Sequence, residues 1–442
     1  MPIRYWRFLA AVLPLFIALF SGCGKVGNER RVTVALSGNV YWQTSAWHER
    51  IASFTHETGI NVSLVTYSEK EEDLRRSQTL DWLSHHSPTP DVYQADITFI
   101  SSIADEMLDL TSDAGKIADE HMPFVMDNYK FHGRLVALPL YTDVGLLYYR
   151  TDLLRKYGYK HPPATWVELE EMAKVIQKGE RKSRNGDFWG YVWEGKPVAD
   201  NLTSSAFEFQ AANGGGHIIE PDGTISVNNQ YAVEALNQAR RWIGTISPPE
   251  TMASDPFDVI KVWSDGEAAF MRNWPEFIGQ KELKDGGTFA VTHMPAGPAG
   301  SVGTLGGWQL SVSKYSDHPQ EAVRLVEYLT NTGSQLLYAR ESTRAPTRQS
   351  VIRDPHLLAR TPEFSQVYDA LETSAVPRPS VEAGTKYPNV SQAYAQAVDS
   401  VLAGQRDASA ALGDLEQQLV VLTGLKARRP SQRIAGVMYK RQ

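Results

Sequence analysis

Val32, Val34 and Leu36 alternate with polar or small residues, the period of a strand with one buried face. Residues 47–58 then read as a helix, and Gly59 stands where a C-terminal cap glycine would end it. Residues 61–67 return to a strand pattern, so the chain opens strand–helix–strand, the start of an α/β layered domain. The stretch Pro90-Asp91-Val92-Tyr93-Gln94-Ala95-Asp96 reads as a short buried strand that delivers Asp96 at its C-terminal end, where open α/β sheets collect ligands. Residues 136–141 and 145–149 are two further β-type runs on either side of Thr142-Asp143. A helix starts at Thr165: Thr165 and Glu168 have capping-box spacing, Leu169, Met172, Ala173 and Ile176 fall on one helical face, and Gly179 is expected just past its end. Ala322, Leu325, Val326 and Leu329 repeat that spacing in a second helix. Glycine- and proline-rich loops lie between them, at Asn213-Gly214-Gly215-Gly216, Pro248-Pro249 and residues 295–307, and the basic residues 426–442 read as a frayed terminus.

The chain has 442 residues, 42% of them hydrophobic and 21% charged, which is room for two or three domains with a full core. The formal net charge of -7, with no lysine- or arginine-rich block, argues against a nucleic-acid partner. Arg4 and Arg7 precede an apolar run over residues 8–20 and the small residues Ser21-Gly22, the three-part layout of a secretory signal. That run is shorter than the roughly 20 residues of a membrane span. Cys23, the single cysteine, follows directly. Ser21-Gly22-Cys23 resembles a bacterial lipobox, in which cleavage exposes a cysteine that carries acyl chains; Phe20 departs from the aliphatic residue usual there. A plain signal peptide, or a short buried helix with an incidental cysteine, is the alternative. Residues 1–22 are expected to be removed, with Cys23 lipidated, residues 23–31 a tether and 431–442 a flexible tail. The expected location is the outer face of the cytoplasmic membrane, held by the lipid anchor only.

The candidate chemistry is aromatic and carboxylate. Of 11 tryptophans, several stand beside glycine, proline or a carboxylate, as in Asn273-Trp274-Pro275-Glu276, Gly306-Gly307-Trp308 and Trp193-Glu194-Gly195. A pyranose has a face of C–H bonds that packs on an indole and an edge of hydroxyls that a carboxylate accepts. Trp274 and Trp308 are the ring candidates, with core filling as their alternative; for the other tryptophans core filling is the expected role. Asp96 and Asp143 are the carboxylate candidates, each at the end or interruption of an apolar run. No HExxH, GxSxG, Walker A or GxGxxG signature is present, His85-His86 lack metal-binding spacing, and no catalytic residue, metal or cofactor is expected.

Taken together, these runs resemble the family 1 extracellular solute-binding proteins of bacterial ABC importers, and most of all their trehalose/maltose-binding branch. The run from Leu138 to Leu154, through Tyr141-Thr142-Asp143, resembles the family's crossing segment between lobes, Ala268-Ala269-Phe270-Met271-Arg272-Asn273-Trp274-Pro275 the segment that brings a tryptophan to the sugar, and Gly306-Gly307-Trp308 the second crossing. Arg344-Ala345-Pro346-Thr347-Arg348 resembles an element near a third crossing, and Pro377-Arg378-Pro379 a late arginine that reaches the ligand. The resemblance implies an α/β, two-lobed periplasmic-binding-protein fold (class II type) with the ligand cleft between lobes. The lobes implied are residues 32–141 with 308–346 and 142–307 with 347–430. It implies Asp96, Tyr141, Asp143, Trp274, Gly307, Trp308 and Arg378 as sugar contacts, with Arg75 or Arg76 as an addition. It further implies a monomer that passes a small sugar to permease subunits served by a cytoplasmic ATPase. Where trehalose/maltose binders often carry Tyr-Glu-Gly-Leu, this chain reads Val198-Ala199-Asp200-Asn201-Leu202, so the sugar stays open. A polyol- or sugar-phosphate binder, a surface glycoside hydrolase and a structural lipoprotein are the rival readings.

Overall fold

The computed structural model describes residues 31–35, 45–65, 67, 72–184, 187–198, 200–280, 283 and 285–428. The signal segment, Cys23, the tether, Leu36 and the tail 431–442 lie outside the described residues. Two separate sheets organise the rest. The first runs, in order of pairing, Ala375–Val376, Gly303–Val312, Val92–Asp96, Arg31–Ala35 and Asn61–Val65, with Leu138–Val144 also paired to Gly303–Val312. Arg31–Ala35 is parallel to both neighbours, and its Val32 and Val34 are fully buried, as parallel strands covered on both faces require. The second sheet runs Phe289–His293, Leu146–Arg150, Ala268–Asn273 and Trp189–Val192. The chain leaves the first sheet at Gly145, between Leu138–Val144 and Leu146–Arg150, and re-enters it at Gly303–Val312.

Most predicted elements form where the apolar period placed them. The helix Ser45–Thr58 ends at Gly59, whose φ of +69° is the left-handed cap conformation and whose N–H reaches the Thr55 carbonyl at 2.9 Å. The helix Pro319–Leu329 buries Ala322, Leu325, Val326 and Leu329, and each larger apolar side chain contributes about 1.5–3 kcal/mol by leaving water. Among the described residues no helix is long and apolar enough to cross a membrane.

Three expectations need correction. The helix from Trp166 runs to Arg184, so Gly179 lies inside it rather than past its end. The glycine makes room for Tyr157: a Cβ there would sit 2.1 Å from the Tyr157 hydroxyl oxygen. Packing thus outweighs the ~1 kcal/mol that an interior helical glycine costs. Thr142 and Asp143 do not interrupt a strand, because Leu138–Val144 continues through them. Thr142 donates its N–H to Ala345 (2.9 Å) and its hydroxyl to the Gly306 carbonyl (3.1 Å), which satisfies the polar groups within the ladder. The frayed end also begins later than read. Lys426–Ala427 pairs with Thr224–Ile225, and Arg428 forms ion pairs with Glu220 and Asp222 at 3.4 and 3.7 Å.

Candidate functional site

A cavity of about 640 Å³ lies between the two sheets. From the first sheet's side come Asp96, Trp308 and, on the helix Glu72–Ser84, Arg75 and Arg76; from the second come Trp274, Asp200, Lys196 and Asp255. Asp96 ends its strand directly opposite Trp308, and Gly307 faces Thr142 across the ladder. The glycine is required there: its φ is +139°, and a Cβ would stand 2.7 Å from the Tyr141 carbonyl oxygen. Its neighbour Gly306 lets the Trp274 ring lie against the strand, since a Cβ would meet that ring at 2.8 Å.

One end of the cavity is an ionic knot that ties the two sides together. The Asp96 carboxylate accepts the N–H and hydroxyl of Thr98 at 2.8 and 2.5 Å, and the same hydroxyl lies 2.8 Å from the Asp200 carboxylate. Arg76 stands between these acids, 3.7 Å from Asp96 and 4.0 Å from Asp200. Arg378 pairs with Asp200 at 3.3 Å, and Ser391 and Tyr387 also donate to it. Burial alone would raise the Asp200 carboxyl, but Arg378 and Arg76, with the Ser391 and Thr98 hydrogen bonds, hold it below the usual carboxylate range. Asp200 sits in a left-handed conformation (φ +65°) before the helix Asn201–Ala212, a backbone that aspartate tolerates better than most residues.

The other end is a carboxyl pair with the opposite tendency. Burial, then the neighbouring Glu276, pushes the Asp143 carboxyl well above its ordinary value, against the pull of Arg344. Burial raises Glu276 likewise, although Arg344 lies 4.0 Å away. Asp143 Oδ1 is buried without a hydrogen-bond partner among the described residues, so an incoming polar group has an atom to meet. Carboxyl oxygens at both ends, together with the arginine N–H groups, offer acceptors and donors to a polyhydroxyl molecule.

Of the residues expected from sequence, Asp96, Asp143 and Arg75 line the cavity, as do Trp274, Gly307, Trp308 and Arg378. Tyr141 does not: it is 2% exposed, packs under Arg344 (5.1 Å from guanidinium carbon to ring centroid) and bonds to it, so it supports the wall from behind. Trp193 is also in the core, its indole N–H bonded to Ser247 at 3.1 Å. Sequence reasoning missed Asp200, Glu276 and Thr98. The proline-flanked Trp274-Pro275-Glu276 run held Glu276 in view, and an acid before a helix start was the available signal for Asp200.

Comparison with known proteins agrees with this architecture. Residues 49–366 match the family model described as bacterial extracellular solute-binding protein. A probable ABC transporter-binding protein of Deinococcus radiodurans is 41% identical over 377 residues, covering 84% of this chain and 89% of that protein. A maltodextrin-binding protein of Bacillus subtilis is 26% identical over 309 residues, covering 64% and 69% of the two chains. Among solved structures, a maltose-bound binding protein of T. maritima superposes with a TM-score of 0.80 at 29% identity, over 89% of this chain and 99% of that one. Its neighbours are two-lobed, as the two sheets with a cleft between them are here. With its matched segment, its relatives and its architecture in agreement, the chain belongs to the bacterial extracellular solute-binding protein family.

Proposed function

We propose that this protein captures a sugar, an α-linked disaccharide such as trehalose or maltose, and delivers it to the permease of an ABC importer. The observation that carries the reading is the convergence of two tryptophan rings, carboxyl groups and arginines on one cavity. Its volume of about 640 Å³ falls within the ~300–1,000 Å³ range of small-molecule sites. Six acidic side chains against four basic ones line it, a balance that suits a neutral polyhydroxyl ligand better than a sugar phosphate. The maltose in the T. maritima neighbour and the maltodextrin of the Bacillus relative point to the same class. A sugar touching both walls stabilises the closed arrangement, because only that arrangement supplies both sets of contacts. We place the signal, the acylated Cys23 and the tether ahead of the two lobes, with the protein acting as a lipid-anchored monomer outside the cytoplasmic membrane.

The raised carboxyls of Asp143 and Glu276 favour one other reading, a glycoside hydrolase with a protonated acid. A melting-temperature screen against trehalose, maltose, mannitol and glycerol phosphate, followed by product analysis after long incubation, separates the readings. Stabilisation by a disaccharide with no released monosaccharide is the expected result. Released glucose would replace capture with hydrolysis, and stabilisation by glycerol phosphate alone would replace the sugar with a phosphate ligand.

A further inference from the structure

The Trp193-Glu194-Gly195 motif turns inward, and its carboxylate reaches the cavity only through a second residue. Glu194 is 1% exposed and bonds Arg272, which is itself fully buried. Glu208 grips the same guanidinium with both oxygens, at 2.6 and 3.1 Å. Taking three charges out of water is costly unless geometry and hydrogen bonds offset it, so the position of this guanidinium is informative. Its central carbon lies 4.1 Å from the ring centroid of Trp274, which lines the cavity. Glu208 also accepts the backbone N–H of Thr304 at 2.9 Å, on the strand by which the chain re-enters the first sheet. At Gly145, where the chain leaves that sheet, a Cβ would lie 2.0 Å from Glu208 Oε1 and 2.8 Å from Arg272 Nη2. One buried cluster therefore touches the ring and both segments that connect the sheets.

We propose that Arg272, clamped by Glu208 and Glu194, is a positioning residue that fixes the cavity-facing ring of Trp274 relative to the two segments joining the lobes. Only its affinity readout rests on the sugar-capture reading. Around Glu194 stand Arg272 on the strand Ala268–Asn273, Glu208 on the helix Asn201–Ala212, Arg378, Asp255 ahead of the helix Pro256–Ser264, and Tyr191 on the strand Trp189–Val192. Burial, opposed by Arg272 and reinforced by Glu208, brings the Glu194 carboxyl up to about 7. Above that pH two carboxylates hold the guanidinium; below it Glu194 is neutral and the clamp loosens.

The test uses the full chain and Glu194→Gln, which keeps the side-chain shape and removes the titration. Emission attributable to Trp274 is taken as the difference between each protein and its Trp274→Phe counterpart, followed across neutral pH. Maltose affinity is measured one pH unit on either side of the inflection. The expected result is a Trp274 inflection near pH 7 that Glu194→Gln abolishes, with maltose bound about two- to fivefold more weakly on the acid side, the scale of one cation–π contact. Arg272→Lys should not restore the parent signal, because a lysine lacks the planar fork. A Trp274 signal that is flat, or that titrates unchanged in Glu194→Gln, overturns the proposal. If neither maltose nor trehalose binds, the sugar reading fails and the Trp274 signal alone decides the positioning role.

Discussion

Replacing Asp200 with asparagine tests whether the ionic knot closes the cleft. Asparagine has the same shape and also tolerates the left-handed backbone at φ +65°, so the substitution removes charge without introducing strain. Thr98 and Arg76 reach Asp200 from the opposite side of the cavity, at 2.8 and 4.0 Å. Hydrogen bonds to a charged acceptor are worth about 1.5–3 kcal/mol and neutral ones about 0.5–1.5 kcal/mol. The single Thr98 hydroxyl proton is shared between Asp96 and Asp200 (2.5 and 2.8 Å), so losing the Asp200 charge there, with the weaker Arg76 attraction, amounts to at most ~1–2 kcal/mol. Because those contacts cross the cleft, the loss falls on the closed form and should weaken sugar affinity roughly 5- to 30-fold. The Arg378, Ser391 and Tyr387 contacts add a loss of folding stability. The folded-state carboxyl of Asp200 is held low, so its contribution is present above the unfolded value near ~3.9 and is lost as pH falls. Asp200→Asn should therefore flatten the acid limb of the stability–pH curve. Calorimetric titration with maltose and trehalose, and small-angle scattering of the ligand-free protein, give the two readouts. Parental affinity together with parental compactness in Asp200→Asn would refute the reasoning.

Trp308→Ala should weaken sugar binding by more than about 1 kcal/mol without unfolding the protein, as aromatic hot spots do; unchanged affinity in a titration removes Trp308 from the site. Asp143 titrates in the opposite sense to Asp200: its folded-state carboxyl is raised, so the stability it contributes is complete below the unfolded value and is lost as pH climbs through the raised one. Asp143→Asn should accordingly raise the unfolding midpoint at neutral pH, measured by thermal denaturation without ligand, while weakening affinity.

Much of the framework was legible because it rests on local period. Val92–Asp96 ends at the acid that its pattern marked, and Pro319–Leu329 buries the face that its spacing marked. The failures come from contacts distant along the chain. Gly179 looks like a stop signal, and only the Tyr157 ring packed on it explains why the helix continues. Trp193 and Trp274 sit in similar local company, yet Trp193 is fully buried with its N–H on Ser247 while Trp274 lines the cavity, a difference set by contacts distant along the chain. Tyr141 goes to Arg344 rather than to the cavity, and Asp200 gains its role from Arg76, Arg378 and Ser391, none of them near it in sequence. Acids and cations assembled from separate elements are visible only once the chain has folded.

The most direct measurement is calorimetric titration of residues 24–442 against trehalose, maltose, sucrose, glucose and glycerol phosphate. The account predicts binding of one disaccharide near micromolar affinity, about -8 kcal/mol, with no hydrolysis product afterwards. Binding of glycerol phosphate alone, or of no sugar at all, would contradict it.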